Sequence, residues 1–199
     1  MASRMASRTG MLALSLAAAT ALTLAATPAG AHPGPPGTSG TSAAPARPGA
    51  ARAELARAAA ASARYTLVER SVAAGYVPDQ YCVQDPAGAG AIGYPHFNHA
   101  HDDSLDPAKP AALLYEDDAR GRRRLVALEW VVMDRDGRVE TDDDRPSLFG
   151  QPFKGPIPGR FKGQKTHYAL HVWLWKDNPA GLFATFNPEA RCLPGTTRP

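Results

Sequence analysis

Five of the six histidines fall in two short stretches. His96, His99 and His101 precede Asp102 and Asp103, and His167 and His171 lie in the run His-Tyr-Ala-Leu-His-Val-Trp-Leu-Trp that ends at Trp175. Imidazole and carboxylate groups are the donor set of zinc, copper and other transition metals. His99 and His101, two residues apart, point the same way on an extended segment and are close enough to share an ion. His167 and His171 share one face of a strand, but at a rise of about 3.3 Å per residue their Cα atoms stand roughly 13 Å apart, too far to hold one ion together. A site therefore needs one of them, with partners from residues 96–101 and from Glu129, which interrupts the apolar run 125–132. A buried carboxylate there requires a partner. The expected site takes one of the two strand histidines, such as His171, with Glu129 and histidines of the 96–101 segment, holding zinc, copper or another transition metal, or a small ligand. The plainer alternative is that Glu129 pairs with an Arg or Tyr or faces solvent, and that the histidines make ordinary hydrogen bonds.

Other patterns carry less chemistry. Asp134-Arg135-Asp136-Gly137 suggests a calcium loop, but with Gly137 at the invariant glycine the first ligand position falls on Val132 and the EF-hand register fails. A hairpin turn there and a solvated acidic run at Asp142-Asp143-Asp144 explain both better. Ser104, Ser147 and Thr166 lack the Gly-x-Ser-x-Gly context of a serine hydrolase. Lys154, Arg160, Lys162 and Lys165 make the stretch 145–166 locally basic, which attracts an anionic ligand or simply solvates a surface. Trp130, Trp173 and Trp175 offer faces for a sugar, although large aromatics in a small domain usually pack in its core.

The positioning elements follow from hydrophobic period. Residues 50–74 repeat Leu55, Ala58, Ala61, Tyr65, Val68 and Val72 at helical spacing, with Gly75 and Pro78 as stop signals. Residues 92–98 form a short extended segment interrupted by Pro95, and 111–115 and 125–133 are strands linked by a charged hairpin connection at 117–124. Residues 138–141 are expected to return as a short edge strand. The stretch 145–166 has no period and forms a long Pro/Gly-rich loop, serving as a lid over a cavity or as a wrap over a sheet edge. In 167–175 alternation puts Tyr168, Leu170, Val172 and Leu174 on one face, and His167, Ala169, His171, Trp173 and Trp175 on the other.

The N-terminus predicts export. Arg4 and Arg8 precede an apolar run, and Ala29-Gly30-Ala31 is a small-residue processing site, so residues 1–31 read as a signal peptide. Its removal takes two of the 22 Lys and Arg and none of the 19 Asp and Glu, leaving the charge nearly balanced. Nucleic-acid binding is not indicated. No membrane span is expected after cleavage. In an oxidising compartment Cys82 and Cys192, the two cysteines of the chain, form a disulfide. Residues 32–50, rich in Pro, Gly, Ser and Ala, read as a disordered linker.

Several strings together resemble a family of uncharacterised exported bacterial proteins. They are Ile92-Gly93-Tyr94-Pro95-His96-Phe97-Asn98, Leu105-Asp106-Pro107-Ala108-Lys109-Pro110, Leu113-Leu114-Tyr115-Glu116, the strand from Leu125 to Trp130, Phe149-Gly150-Gln151-Pro152-Phe153 with Gly155-Pro156, and residues 167–178. The resemblance spans roughly residues 75–192. It implies no mechanism, since the family has no established activity, and it directs attention to His96, Glu129, His167 and His171. His99 and His101 are not part of the family pattern.

Strands that follow one another without long helices between them favour antiparallel pairing. The expected fold is α+β, one N-terminal helix packed on an antiparallel β-sheet with long Pro/Gly-rich loops, over residues 51–193 with a flexible tail at 194–199. The expected function is binding of a transition metal or small ligand through His and Glu side chains on the sheet. The alternative is a structural or interaction module of the cell envelope. Metal-assisted hydrolysis or oxidation, a third possibility, needs an open coordination position as well.

Overall fold

The computed structural model of the chain describes residues 48–160 and 163–198. The expected signal peptide and nearly all of the expected linker lie outside the described residues.

Helical residues come first, in three pieces: α1 (Pro48–Ser62), a 3-10 turn (Ala63–Thr66) and α2 (Val68–Ala73). The expected continuous helix breaks at Leu67, whose φ of −93° and ψ of 107° are extended. Hydroxyls on both sides of the tight turn bond back to the helix, Ser62 Oγ to Ala58 O at 2.7 Å and Thr66 Oγ1 to Ala63 O at 2.8 Å. Such bonds compete with regular helix propagation. The break leaves the Tyr65 carbonyl free to accept from the Tyr115 hydroxyl at 2.8 Å, tying the helix to the sheet. Gly75, at φ 87°, ends α2 as expected. Tyr76 N donates to Ser71 O and Gly75 N to Val72 O, the paired bonds of a glycine-terminated helix.

The sheet comprises β1 (Val77–Pro78), β2 (Cys82–Gln84), β3 (Ala91–Phe97), β4 (Ala112–Asp117), β5 (Arg123–Met133), β8 (Lys154–Ile157), β9 (His167–Val172) and β10 (Thr197–Arg198); β6 (Ser147–Leu148) and β7 (Gln151–Pro152) pair separately. Its order is β10-β2-β3-β4-β5-β9-β8, with β1 on β3. Every pair is antiparallel except β10 with β2. This is the expected α+β class, one N-terminal helical segment against a mostly antiparallel sheet.

The sheet register sorts side chains into two faces. His96, Leu113, Leu128 and Val172 stand opposite one another across β3, β4, β5 and β9, and Phe97, Ala112, Glu129 and His171 form the adjacent row. Because neighbouring residues of a strand point to opposite faces, the two rows lie on opposite sides of the sheet. The first side meets the helices in a cluster built on Tyr65, Tyr76, Leu113, Tyr115, Leu128, Trp130, Phe149, Phe153, Tyr168 and Leu170. The second carries a smaller cluster of Val83, Ile92, Ala112, Leu114, Val126, Ala127, Trp173 and Ala190. Leu114 pairs with Ala127 and Tyr115 with Leu125, so Val126 is an extra residue in β5. This bulge turns Leu125 to the helix side, away from the face of Glu129 that simple alternation predicts.

Several expected segments differ in detail. Residues 138–141 form turns rather than an edge strand. Asp134 Oδ1 accepts from Asp136 N and Gly137 N, and Asp136 Oδ1 from Arg138 N, offering the backbone an alternative to a ladder. Within 145–166, β8 pairs with β9 as an edge strand, so this part wraps the sheet edge. Strand β9 ends at Val172, and Trp175 crosses to the helix side, where its Nε1 donates to Ser62 Oγ at 3.2 Å. The expected loose tail is anchored: β10 pairs with β2, and the Tyr94 and Thr196 hydroxyls share a hydrogen bond of 2.8 Å. The expected disulfide joins Cys82 and Cys192 across 110 residues. Among the described residues no helix is long and apolar enough to cross a membrane.

Candidate functional site

A cavity of about 1020 Å³ opens on the sheet face that the helices leave uncovered. Its floor is the row of side chains alternating with the helix-side core: Val131 and Met133 follow Glu129 along β5, and Ala169 separates His167 from His171 on β9. Pro95 and Phe97 of β3 continue the apolar floor, and Phe186 closes one side. Three stretches make the rim: Asp79, the turn holding His99, Asp102 and Asp103, and the segment holding Ile157, Arg160, Gln164 and Lys165. Within 145–166, β8 thus takes the expected role of a wrap over the sheet edge, and later described residues border the cavity.

Glu129 and His171 face each other directly across β5 and β9. They are buried, 7% and 4% exposed. Glu129 Oε1 lies 3.6 Å from His171 Nε2, too long for a hydrogen bond. Among the described residues Glu129 Oε2 and both nitrogens of His171 have no hydrogen-bond partner. Burial pushes the Glu129 carboxyl up to about 7, opposed by His167 and Arg160 and reinforced by Asp102. Burial, followed by the Arg160 charge, brings the His171 imidazole down to about 4. The contact is therefore not a fixed ion pair: burial favours the uncharged form of both the imidazole and the carboxyl.

His167 is also buried, but its Nδ1 lies 3.0 Å from the carbonyl of Lys165. A carbonyl only accepts, so Nδ1 carries the hydrogen and Nε2 is the nitrogen left for other partners. This bond also pins the end of the basic segment to β9.

His96 is not part of this group. It lies on the helix side, 2% exposed, with its ring 4.3 Å from that of Tyr115. Ser71 Oγ donates to Val68 O at 2.7 Å, so His96 Nδ1, 3.0 Å from Ser71 Oγ, donates to it. Burial, with a smaller contribution from Arg123, brings the His96 imidazole down to about 4. His101 is held by Pro110 O and the Tyr76 hydroxyl, and His99, on the cavity rim, bonds Asp102. The structure thus brings together Glu129, His171 and His167 of the expected set and separates His96 by the thickness of the sheet. Among the described residues no group of three His, Cys, Asp or Glu side chains is placed to hold one metal ion.

Arg160 was visible in the sequence only as one of four basic residues, with nothing to single it out. Asp79, Thr185 and Phe186 had no signal at all, because they reach the cavity from loops distant in sequence. No family model, curated protein or solved structure matches the chain.

Proposed function

We propose that this is an exported protein that binds a small, largely apolar organic molecule in the sheet cavity, anchoring the polar group of that molecule on Glu129 and His171. One observation carries the reading: two buried polar side chains on adjacent strands face the same cavity, and three of their polar atoms lack a partner among the described residues. Buried polar groups are almost always hydrogen-bonded, so unpaired ones on the partly apolar floor of a ligand-sized cavity mark a recognition point. A neutral imidazole and a carboxyl that burial pushes toward its protonated form both donate and accept. They suit a hydroxyl, amide or carbonyl better than a fixed charge. The signal-peptide pattern and the disulfide support export to an oxidising compartment.

Zinc or copper binding is less well supported. Glu129 and His171 alone supply half the ligands of a closed four-coordinate site, and His96 faces the other way.

The ligand-binding reading is tested with 1-anilinonaphthalene-8-sulfonate as an apolar probe. Saturable one-to-one fluorescence enhancement is expected, lost in Ala169→Phe, which fills the floor while retaining the unfolding midpoint. Wild-type protein that shows no saturable enhancement refutes the reading and favours a structural module of the envelope.

A further inference from the structure

The geometry points to a general base: we propose that Glu129 removes a proton from a carbon acid bound in the cavity, while His171 and Arg160 meet the negative charge that develops on the substrate's oxygen. This rests on the ligand-binding reading and adds a reaction to it. Among the described residues Glu129 Oε2 has no hydrogen-bond partner, so none has to break there before the carboxylate accepts a proton. Phe97, Val131 and Ala169 around it are apolar, and a carboxylate deprived of solvent is a stronger base than one in water.

The second half of the arrangement is the oxygen site. His171 Nε2 stands 3.6 Å from Glu129 Oε1, so a small carbonyl compound can place its α C–H at the carboxylate and its oxygen at the imidazole. Arg160 lines the same cavity and its charge acts on both side chains. Donors and positive charge close to a developing oxyanion usually supply the largest part of such catalysis, and the imidazole and Arg160 lie on one cavity.

The step balances without a co-reactant. Glu129 takes the α proton, the C–H pair becomes a C=C bond, and the carbonyl π pair moves onto oxygen. With a β,γ-unsaturated substrate the new carboxylic acid returns the proton at the γ carbon. The double bond moves into conjugation, and nothing is oxidised or reduced. The charged and titratable groups around Glu129 are His171 and His167 of β9, Arg160 and Lys165 before it, and His99, Asp102 and Asp103 after β3. The upward shift of the carboxyl, to about 7, strengthens its carboxylate as a base, and the ionised form becomes the major one above that pH.

The probe is 5-nitrobenzisoxazole, whose ring C–H proton is removed as its N–O bond breaks to release a coloured phenolate. Full-chain protein is expected to convert it at least ~100-fold faster than acetate at the same concentration. The rate should rise with pH and level off above about 7. Glu129→Gln should abolish turnover, and Glu129→Asp should slow it while keeping the pH inflection. Equilibrium dialysis of the probe separates the two readings. Binding with no turnover above acetate overturns the general base alone, whereas no binding to wild type or Glu129→Gln overturns the ligand site with it. Turnover that survives in Glu129→Gln, or a rate and pH profile unchanged in Glu129→Asp, also overturns the general base.

Discussion

The two faces of the sheet each bury a histidine, and the two histidines share most of their electrostatics. His96 and His171 are both nearly inaccessible, and burial brings both down to about 4. Each has a nitrogen without a hydrogen-bond partner among the described residues. Their surroundings differ. His96 is enclosed by α2 and the Tyr115 ring and bonded to Ser71, whereas His171 faces a cavity beside an equally unpaired carboxyl. Burial and a displaced pKa therefore do not separate a packing histidine from a ligand-facing one. Free space next to an unmet hydrogen-bonding group does.

The faces also differ in how they are held. The helix side has the larger aromatic cluster, while the cavity side has a smaller one against which Cys192 packs. Replacing both Cys82 and Cys192 with Ala should cost about 4–5 kcal/mol in the chain-entropy picture, given the 110-residue separation. Trp130→Ala, on the helix side, should cost about 3–5 kcal/mol by opening a core cavity and leaving Asp106 O without its indole donor. Guanidinium unfolding of both variants tests the contrast; a cysteine effect below 1 kcal/mol would show that packing alone holds the cavity side.

Glu129 offers a pH test of the cavity face. Its folded position of about 7 lies above its ordinary value of 4.5, so its contribution is fully present below pH 4.5 and is lost as pH rises to about 7. The loss is on the order of 3 kcal/mol. Glu129→Gln should remove it, so the variant should gain on wild type across that window in urea unfolding. Equal slopes for the two proteins would mean that the carboxyl is not buried as described. The two histidines act in the opposite sense: their folded values lie below 6.5, so their contributions are intact above 6.5 and fall as pH drops toward 4.

The smallest expected effect is the most direct comparison of the faces. His96→Ala should destabilise by about 1–3 kcal/mol, because Ser71 loses its partner and Tyr115 its neighbour in a closed core. His171→Gln should change stability by less than about 0.5 kcal/mol while weakening probe binding. Chemical denaturation and fluorescence titration of the two variants read both quantities. Reversed outcomes would exchange the roles assigned to the two histidines.

Much of this was legible in the residues. Alternation in 167–175 correctly separates His167 and His171 from Tyr168, Leu170 and Val172, because a strand's period of two is local. The same reasoning failed at Leu125 and Trp175, where a bulge and a strand end reset the alternation. The grouping of His96 with Glu129 failed for a different reason. Which residue of β3 lies opposite which residue of β4 is decided by pairing, and a shift of one position moves a side chain to the other face.

The sequence by itself determined the α+β class, the cysteine pairing and the placing of His167 and His171 on the face of β9 opposite Tyr168, Leu170 and Val172. These follow from composition, period and the elimination possible with two cysteines. Tertiary structure alone decided that Glu129 and His171 stand opposite each other, that His96 belongs to the helix side, and that Arg160 and Phe186 border the same cavity. Those relations join segments far apart in the chain, and they exist only once register and loop closure have brought the segments together.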